Sequence, residues 1–175
     1  VGKGDSWLKV VNGGRITTPK LKELDGVWLI FDNGLGIDTR QINNLIGGGI
    51  DATIVSPDLS GLTNIAGSGL IAHSGAKLSL PQITEYYGDG GANSVFSTPI
   101  KAEGFGSLVY LPNVAKFDGN AFVNDATTVD ALAGGKINLA KVQAINAGKV
   151  QFTAQGNGST INLLSFKRFE TNSKG

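Results

Sequence analysis

The sequence predicts an all-β fold, a right-handed parallel β-helix of about seven coils, on three observations. First, a nine-residue pattern occurs seven times, with apolar residues or Thr at its first, fourth and seventh positions and usually Gly at its ninth. Second, successive copies begin 20 to 31 residues apart, a spacing typical of solenoids, in which each unit buries its apolar side against its neighbours. Third, alternating apolar residues flank the copies, as in a β-strand. The copies begin at Thr18, Thr39, Leu59, Leu80, Leu111, Leu139 and Leu163.

Each unit is predicted to contain a short strand, a turn, a corner and a second strand. The residue two positions before each start is apolar and begins the first strand, as at Ile16, Ile37, Pro57, Leu78, Val109, Ile137 and Ile161. Apolar residues eleven positions after five of the starts indicate the second strand, at Leu29, Ile50, Leu70, Phe122 and Val150. A unit of about 20 residues holds two or three strands of three to five residues, whereas a full helix does not fit.

The nearest alternative is a leucine-rich-repeat horseshoe, in which the apolar residues three apart would form a helical turn. That repeat requires an inward-facing column of Asn or Cys. The sequence has no such column, so the β-helix is the favoured interpretation.

The glycine column and the ends of the chain complete the fold prediction. Glycine at the ninth position is expected to form a corner with positive φ, which glycine adopts without steric cost. Residues 1–15 are expected to form an N-terminal cap, because a solenoid needs to cover its end, and residues 16–175 a single β-helix domain. The column consists of Gly26, Gly47, Gly67, Gly88 and Gly119.

Composition narrows the class of function. The 175 residues carry a net charge of +1 and no apolar run long enough to span a membrane, so neither nucleic acid nor membrane is an expected partner. The absence of Cys excludes disulfides, thiolate metal sites and cysteine nucleophiles. A chain without Cys and Met and rich in Gly, Asn and Thr suits a secreted bacterial module, where oxidisable side chains are a liability.

The candidate binding site lies where the repeat is stretched. The fourth and fifth units are longer than the others, and insertions in a solenoid form loops that often bind ligands. Tyr110 and Tyr87 occupy columns that should face outward, beside polar residues of neighbouring units. Exposed rings next to polar groups can stack on the flat face of a sugar and bond its hydroxyl groups. The expected polar partners are Ser79, Gln82, Glu85, Asn113, Lys116, Asp118 and Asn138. Alternatively, both tyrosines merely cover the apolar base of the inserted loops.

Catalytic and metal sites find less support in the sequence. His73 is the only histidine, so neither a Ser-His-Asp triad nor a multi-histidine metal site is expected, and it is predicted to face outward on the second strand. No cofactor is expected. A calcium site remains an alternative, because carboxylates in successive units could approach one another; they are Asp32, Asp38, Asp51 and Asp58.

The repeat has a family resemblance. The segments Ser159-Thr160-Ile161-Asn162-Leu163 and Lys136-Ile137-Asn138-Leu139 resemble degenerate repeats of large secreted bacterial adhesins and polysaccharide-degrading enzymes. The pattern over residues 16–169 is similar to that of β-helix-type carbohydrate-binding modules attached to xylan-degrading enzymes. The resemblance implies a secreted, non-catalytic module, tethered to other modules, that binds a plant cell-wall polysaccharide such as xylan.

Two other functions remain open from the sequence. Repeats alone fit a structural or adhesive module of a bacterial surface protein equally well. A small β-helix polysaccharide lyase or hydrolase would need acidic and basic residues clustered on one sheet beside a groove. Lys101, Glu103 and Asp118 are the residues from which such a cluster could be built.

Overall fold

The computed structural model describes residues 6–89, 98–121 and 126–170. This part of the chain is all-β, with no helix and therefore none that could cross a membrane. Its strands are β1 (Ser6–Val11), β2 (Glu23–Asp25), β3 (Val27–Asp32), β4 (Asn44–Ile46), β5 (Gly49–Thr53), β6 (Gly69–His73), β7 (Lys77–Ser79), β8 (Glu85–Tyr87), β9 (Thr98–Glu103), β10 (Leu108–Tyr110), β11 (Lys116–Asp118), β12 (Thr127–Leu132), β13 (Lys136–Asn138), β14 (Ala144–Ile145), β15 (Val150–Gln155), β16 (Thr160–Asn162) and β17 (Arg168–Phe169).

The largest element is a seven-stranded parallel sheet with the order β1-β3-β5-β6-β9-β12-β15. The strands pair in register, so that equivalent residues of successive units form rows across the sheet. One inward row contains the fully buried side chains of Leu29, Ile50, Leu70, Ile100 and Val129. A second contains Phe31, Ala52, Ala72, Ala102 and Ala131. Period-two alternation thus buries one face of this sheet, as the sequence predicts.

The remaining strands form smaller sheets, also parallel. The four-stranded sheet has the order β7-β10-β13-β16, and the pairs β2–β4, β8–β11 and β14–β17 form two-stranded sheets. From β6 onward the chain passes in turn through the seven-stranded sheet, the four-stranded sheet and a two-stranded sheet, and then repeats this order. In the first two units the short strand before the turn is represented by a single bridge between Ile16 and Ile37.

The apolar spacing of three residues corresponds to a turn. In all seven copies the amide of the fourth residue donates a hydrogen bond to the carbonyl of the first, at 3.0–3.4 Å. The side chains at both positions are buried in the five central copies, and the seventh-position side chains are buried in the first six. These residues pack against the inward rows of the sheets. The predicted turn closed by apolar side chains is therefore confirmed.

Glycines follow the seventh-position residues for two different reasons. The φ angles of Gly26, Gly47 and Gly67 are 68°, 62° and 63°, as expected for corners. Gly88 and Gly119 do not have positive φ, so the prediction is wrong for them. A Cβ on Gly88 would overlap Thr127 Oγ1, and one on Gly119 the carbonyl of Lys149, so close approach of neighbouring units requires glycine there.

The ends and the insertions differ from the regular units. Residues 6–11, within the predicted cap, form the edge strand β1 of the seven-stranded sheet. Near the C-terminal end Phe152 of β15 packs edge to face with Phe166 and Phe169 of the last unit, with centroids of the three rings 5.9–6.3 Å apart. Residues 90–97 of the first insertion and 122–125 of the second, with Phe122 among them, lie outside the described residues. The second strand of the fifth unit is β12 (Thr127–Leu132).

Candidate functional site

Tyr110 lies on β10, in the four-stranded sheet. Its neighbours in register are Ser79 of β7 and Asn138 of β13. The side chain is 36% exposed, so the predicted outward orientation is confirmed for this tyrosine.

The row that contains Tyr110 has a structural role in most units. Its Asp and Asn members accept a hydrogen bond from the backbone amide two residues later, at 3.0–3.2 Å, and thereby close the start of the turn. These pairs are Asp38 with Arg40, Asp58 with Ser60, Asn138 with Ala140 and Asn162 with Leu164.

The units without Asp or Asn in this row have proline two residues later. Thr17 is followed by Pro19, Ser79 by Pro81 and Tyr110 by Pro112. Proline has no amide hydrogen to donate, so an Asp or Asn side chain would gain no such bond. The side chain at this position therefore makes no bond that closes the turn. This explains why a tyrosine can occupy an otherwise polar row, and the explanation requires no ligand.

Tyr87 belongs to a different surface. It lies on β8, which pairs with β11 so that Lys116 is opposite Glu85 and Asp118 opposite Tyr87. The Tyr87 hydroxyl donates to the Glu85 carboxylate, and Lys116 Nζ lies 4.8 Å from the centroid of the Tyr87 ring. The hydrogen bond with Tyr87 raises the pKa of Lys116. The structure thus brings these four predicted residues together, with Tyr87 held by its neighbours.

The other predicted residues also have intramolecular contacts or stand apart. Asn113 Nδ2 donates to the Pro81 carbonyl at 2.8 Å, and Lys141 Nζ donates to Asn113 Oδ1 at 2.7 Å. Gln82 is exposed. The nine predicted residues therefore divide between the four-stranded sheet, the turns that follow its strands and the β8–β11 pair.

The outer face of the seven-stranded sheet carries an aromatic surface that the sequence reasoning missed. Trp7 of β1 pairs with Trp28 of β3, which pairs in turn with Gly49 of β5, and Gly49 with Gly69 of β6. Pro99 of β9 lies next to Gly69, since a Cβ on Gly69 would be 3.2 Å from Pro99 Cδ. We call these five residues the tryptophan row.

The Trp28 indole lies across the two glycines. A Cβ on Gly49 would be 2.5–2.7 Å from three atoms of its six-membered ring, and one on Gly69 would be 2.6 Å from Cη2. The glycines are buried, while Trp28 itself stays partly exposed. Trp7 is 59% exposed. The row is consequently flat and apolar, with one ring supported by the sheet backbone.

A second row, of charged, polar and isoleucine side chains, runs beside the tryptophan row, two residues further along each strand. It contains Lys9, Ile30, Asp51, Ile71, Lys101, Asp130 and Thr153. Charged residues and isoleucines alternate from β1 to β9. We call these seven residues the alternating row.

His73 lies on the same face, as predicted, and links the alternating row to the row beyond it. Its Nε2 lies 3.6 Å from Asp51 Oδ1, and its Nδ1 lies 3.4 Å from Glu103 Oε2. Lys101 Nζ contacts the same Glu103 oxygen at 2.6 Å. Burial raises the pKa of Asp51, partly offset by His73. The hydrogen bond from Lys101 lowers the pKa of Glu103.

The signal for this surface was present in the sequence. An apolar residue at the position of Leu29 faces inward in the predicted strand, so Trp28, one residue earlier, faces outward. Gly49 and Gly69 stand one residue before Ile50 and Leu70, in the equivalent outward position. Two glycines in a column that also holds tryptophan indicate room for a large ring lying on the sheet.

A separate groove lies at the turns of the first units. Its volume is about 590 Å³, and its charged lining residues are Arg15, Asp38, Arg40 and Asp58. Arg40 donates to both carboxylate oxygens of Asp38, at 3.0 and 2.8 Å, which lowers the pKa of Asp38 to about 2. The charged groups of Asp38 and Arg40 in this groove thus already bind each other within the turn.

The residues considered for a catalytic cluster do not all lie in one sheet. Lys101 and Glu103 lie together on β9, whereas Asp118 lies on β11 in another sheet. Across 6–89, 98–121 and 126–170, no group of three or more His, Asp or Glu residues is placed to hold a metal ion. Calcium binding stays an untested alternative.

Comparisons with protein-family models, with curated proteins and with solved structures gave no match to this chain.

Proposed function

We propose that this chain is a secreted, non-catalytic module that binds polysaccharide on the outer face of its seven-stranded sheet. The observation that carries the proposal is the Trp28 indole lying over Gly49 and Gly69, with Trp7 exposed in the neighbouring strand. A flat, supported aromatic surface suits the CH face of a pyranose. The neighbouring carboxylates, amines and imidazole supply donors and acceptors for hydroxyl groups.

The proposed architecture is the right-handed parallel β-helix. Each pass of the chain adds one strand beside the strand of the preceding pass, in the seven-stranded sheet and then in the smaller sheets. Parallel connections of this kind are right-handed in nearly all proteins. A repeating coil would give the outer face of the large sheet its straight rows of equivalent side chains.

The partner in this proposal is a plant cell-wall polysaccharide such as xylan, and the module would be tethered to others in a longer chain. The test is affinity electrophoresis through gels that contain soluble xylan, glucan, mannan or pectin. We expect retardation in at least one neutral polysaccharide gel, and no release of reducing ends or unsaturated products. Migration unaffected by every polysaccharide would reject the function in favour of a structural or adhesive module, and released products would identify an enzyme.

The site is tested with matched aromatic variants. Trp28→Ala and Trp7→Ala are expected to weaken binding about tenfold or more, as truncation of a large aromatic contact does. Tyr110→Ala and Tyr87→Ala remove rings from the originally predicted surfaces and are expected to bind as the unchanged protein does. The reverse pattern would return the site to Tyr110 and Tyr87. Circular dichroism and unfolding midpoints verify that each variant is folded.

A further inference from the structure

The tryptophan row is long across the strands and narrow along them. It spans four strand spacings from Trp7 to Pro99, about 19 Å, the length of roughly four pyranose rings. Along the strand direction the alternating row begins only two residues away, about 7 Å. A ligand that uses the whole row must therefore lie perpendicular to the strands.

The alternating row repeats every second strand along that same direction. From β1 to β9 it presents Lys9, Asp51 and Lys101, with Ile30 and Ile71 between them. A charged side chain, in turn an amine, a carboxylate and an amine, thus recurs at about 9.6 Å, two strand spacings. In a chain of β-1,4-linked pyranoses with equatorial bonds, successive rings are turned over, so each edge of the chain presents the same hydroxyl groups at every second ring. The alternating row presents a charged side chain on every second strand, and the edge of the polysaccharide presents the same hydroxyl groups on every second ring.

The charges on this face favour a neutral polymer. Lys101 Nζ contacts Glu103 at 2.6 Å, and Lys9 Nζ lies 4.0 Å from Asp32. Each lysine of the alternating row thus already has a carboxylate beside it. A polyuronate laid along the row would bring its own carboxylates close to these, which like-charge repulsion opposes.

We propose that the ligand is a neutral, unbranched polysaccharide whose rings alternate in orientation, as in β-1,4-linked chains, and that it lies across the strands. Its ring faces stack on the tryptophan row, and Asp51 and Lys101 bind the hydroxyl groups of every second ring. Ile30 and Ile71 contact the apolar edges between them. Asp51 and Lys101 thereby determine which linkage is accepted. This proposal rests on the proposed function.

The experiment is isothermal titration calorimetry with glucose oligomers that differ only in linkage: β-1,4, β-1,3 and α-1,4. We expect the β-1,4 series to bind best, with affinity rising up to about four to six rings and then constant. Polygalacturonate oligomers are expected to bind more weakly at low ionic strength.

Variants of the alternating row test the assigned residues. Asp51→Ala is expected to weaken binding of the β-1,4 hexamer about tenfold, the loss of one to two hydrogen bonds. Thr153→Ala is the matched control, because it lies in the same row on β15, beyond Pro99, and should not change affinity. Equal affinity for the three linkages, no dependence on length, or equal losses in both variants would overturn the inference while leaving polysaccharide binding intact. Absence of binding to every polymer would instead reject the proposed function itself.

Discussion

Two outward rows of this protein differ in what holds their side chains in place. Beside the turns, Asp38, Asp58, Asn138 and Asn162 bond the backbone of their own unit. On the seven-stranded sheet, Trp7 is largely exposed and Trp28 lies over glycine. The first row stabilises the local chain conformation, whereas the second contributes a surface. Exposed polar residues in a repeat are thus weak evidence for a ligand until their backbone bonds have been examined.

The largest expected effect concerns the support of the Trp28 ring. Gly49→Ala should destabilise the protein by about 1–3 kcal/mol, because the new Cβ would displace the indole. The φ of Gly49 is not positive, so backbone strain adds nothing. In a Trp28→Ala background the same change should cost nothing, since the ring is gone. Chemical denaturation of the four proteins in this cycle measures the coupling. Equal costs in the two backgrounds would show that the ring does not need the glycine.

A smaller loss of stability is expected from substitutions in the row beside the turns. Asn138→Ala should cost about 1 kcal/mol through loss of the bond from the Ala140 amide. Tyr110→Asn should bring no gain while Pro112 remains, whereas combining it with Pro112→Ala should bring one by supplying the missing donor. Unfolding free energies of these variants test the account. A gain from Tyr110→Asn alone would contradict the role assigned to proline.

The row beside the turns and the alternating row should also differ in acid titration. The pKa of Asp38, held by Arg40, is lowered to about 2, while burial raises that of Asp51. Asp38 therefore stabilises the fold above its ordinary pKa of 3.8, and this contribution disappears as the pH falls towards 2. Asp51 acts in the opposite direction: its ionisation opposes folding, so its protonation on acidification stabilises. Carboxyl ¹³C NMR should find Asp38 titrating below Asp51, and Arg40→Ala should raise the Asp38 pKa. Coincident midpoints would contradict the difference.

Much of the fold was predictable because it depends on local spacing. The turns begin where the first-position residues such as Leu80 and Leu111 stand, and the inward strands contain Leu29 and Ile50 as expected. The second strand of the fifth unit was predicted at Phe122, whereas β12 covers Thr127–Leu132, because local spacing does not give the length of the insertion that precedes it. The reason for glycine at positions 88 and 119 was not predictable either, because glycine is required there by the close approach of neighbouring units and not by a positive φ.

The candidate site was less predictable for a related reason. The longer fourth and fifth units indicated Tyr110 and Tyr87 as binding residues. Whether an outward position is required for a bond within its turn depends on other residues of that turn, such as Pro112. The tryptophan row required combining residues of five strands in register. Trp28 becomes informative only when Gly49 and Gly69 are placed beside it. Long-range register of this kind emerges once the strands are paired.

The comparison between the two rows is tested most directly by measuring stability and polysaccharide affinity together for one variant of each. For Asn138→Ala we predict a lower unfolding midpoint and unchanged affinity. For Trp7→Ala, which removes a ring that is 59% exposed, we predict an unchanged midpoint and at least about tenfold weaker affinity. The contradicting result would be weaker binding by Asn138→Ala together with unchanged binding by Trp7→Ala, which would place the binding surface beside the turns.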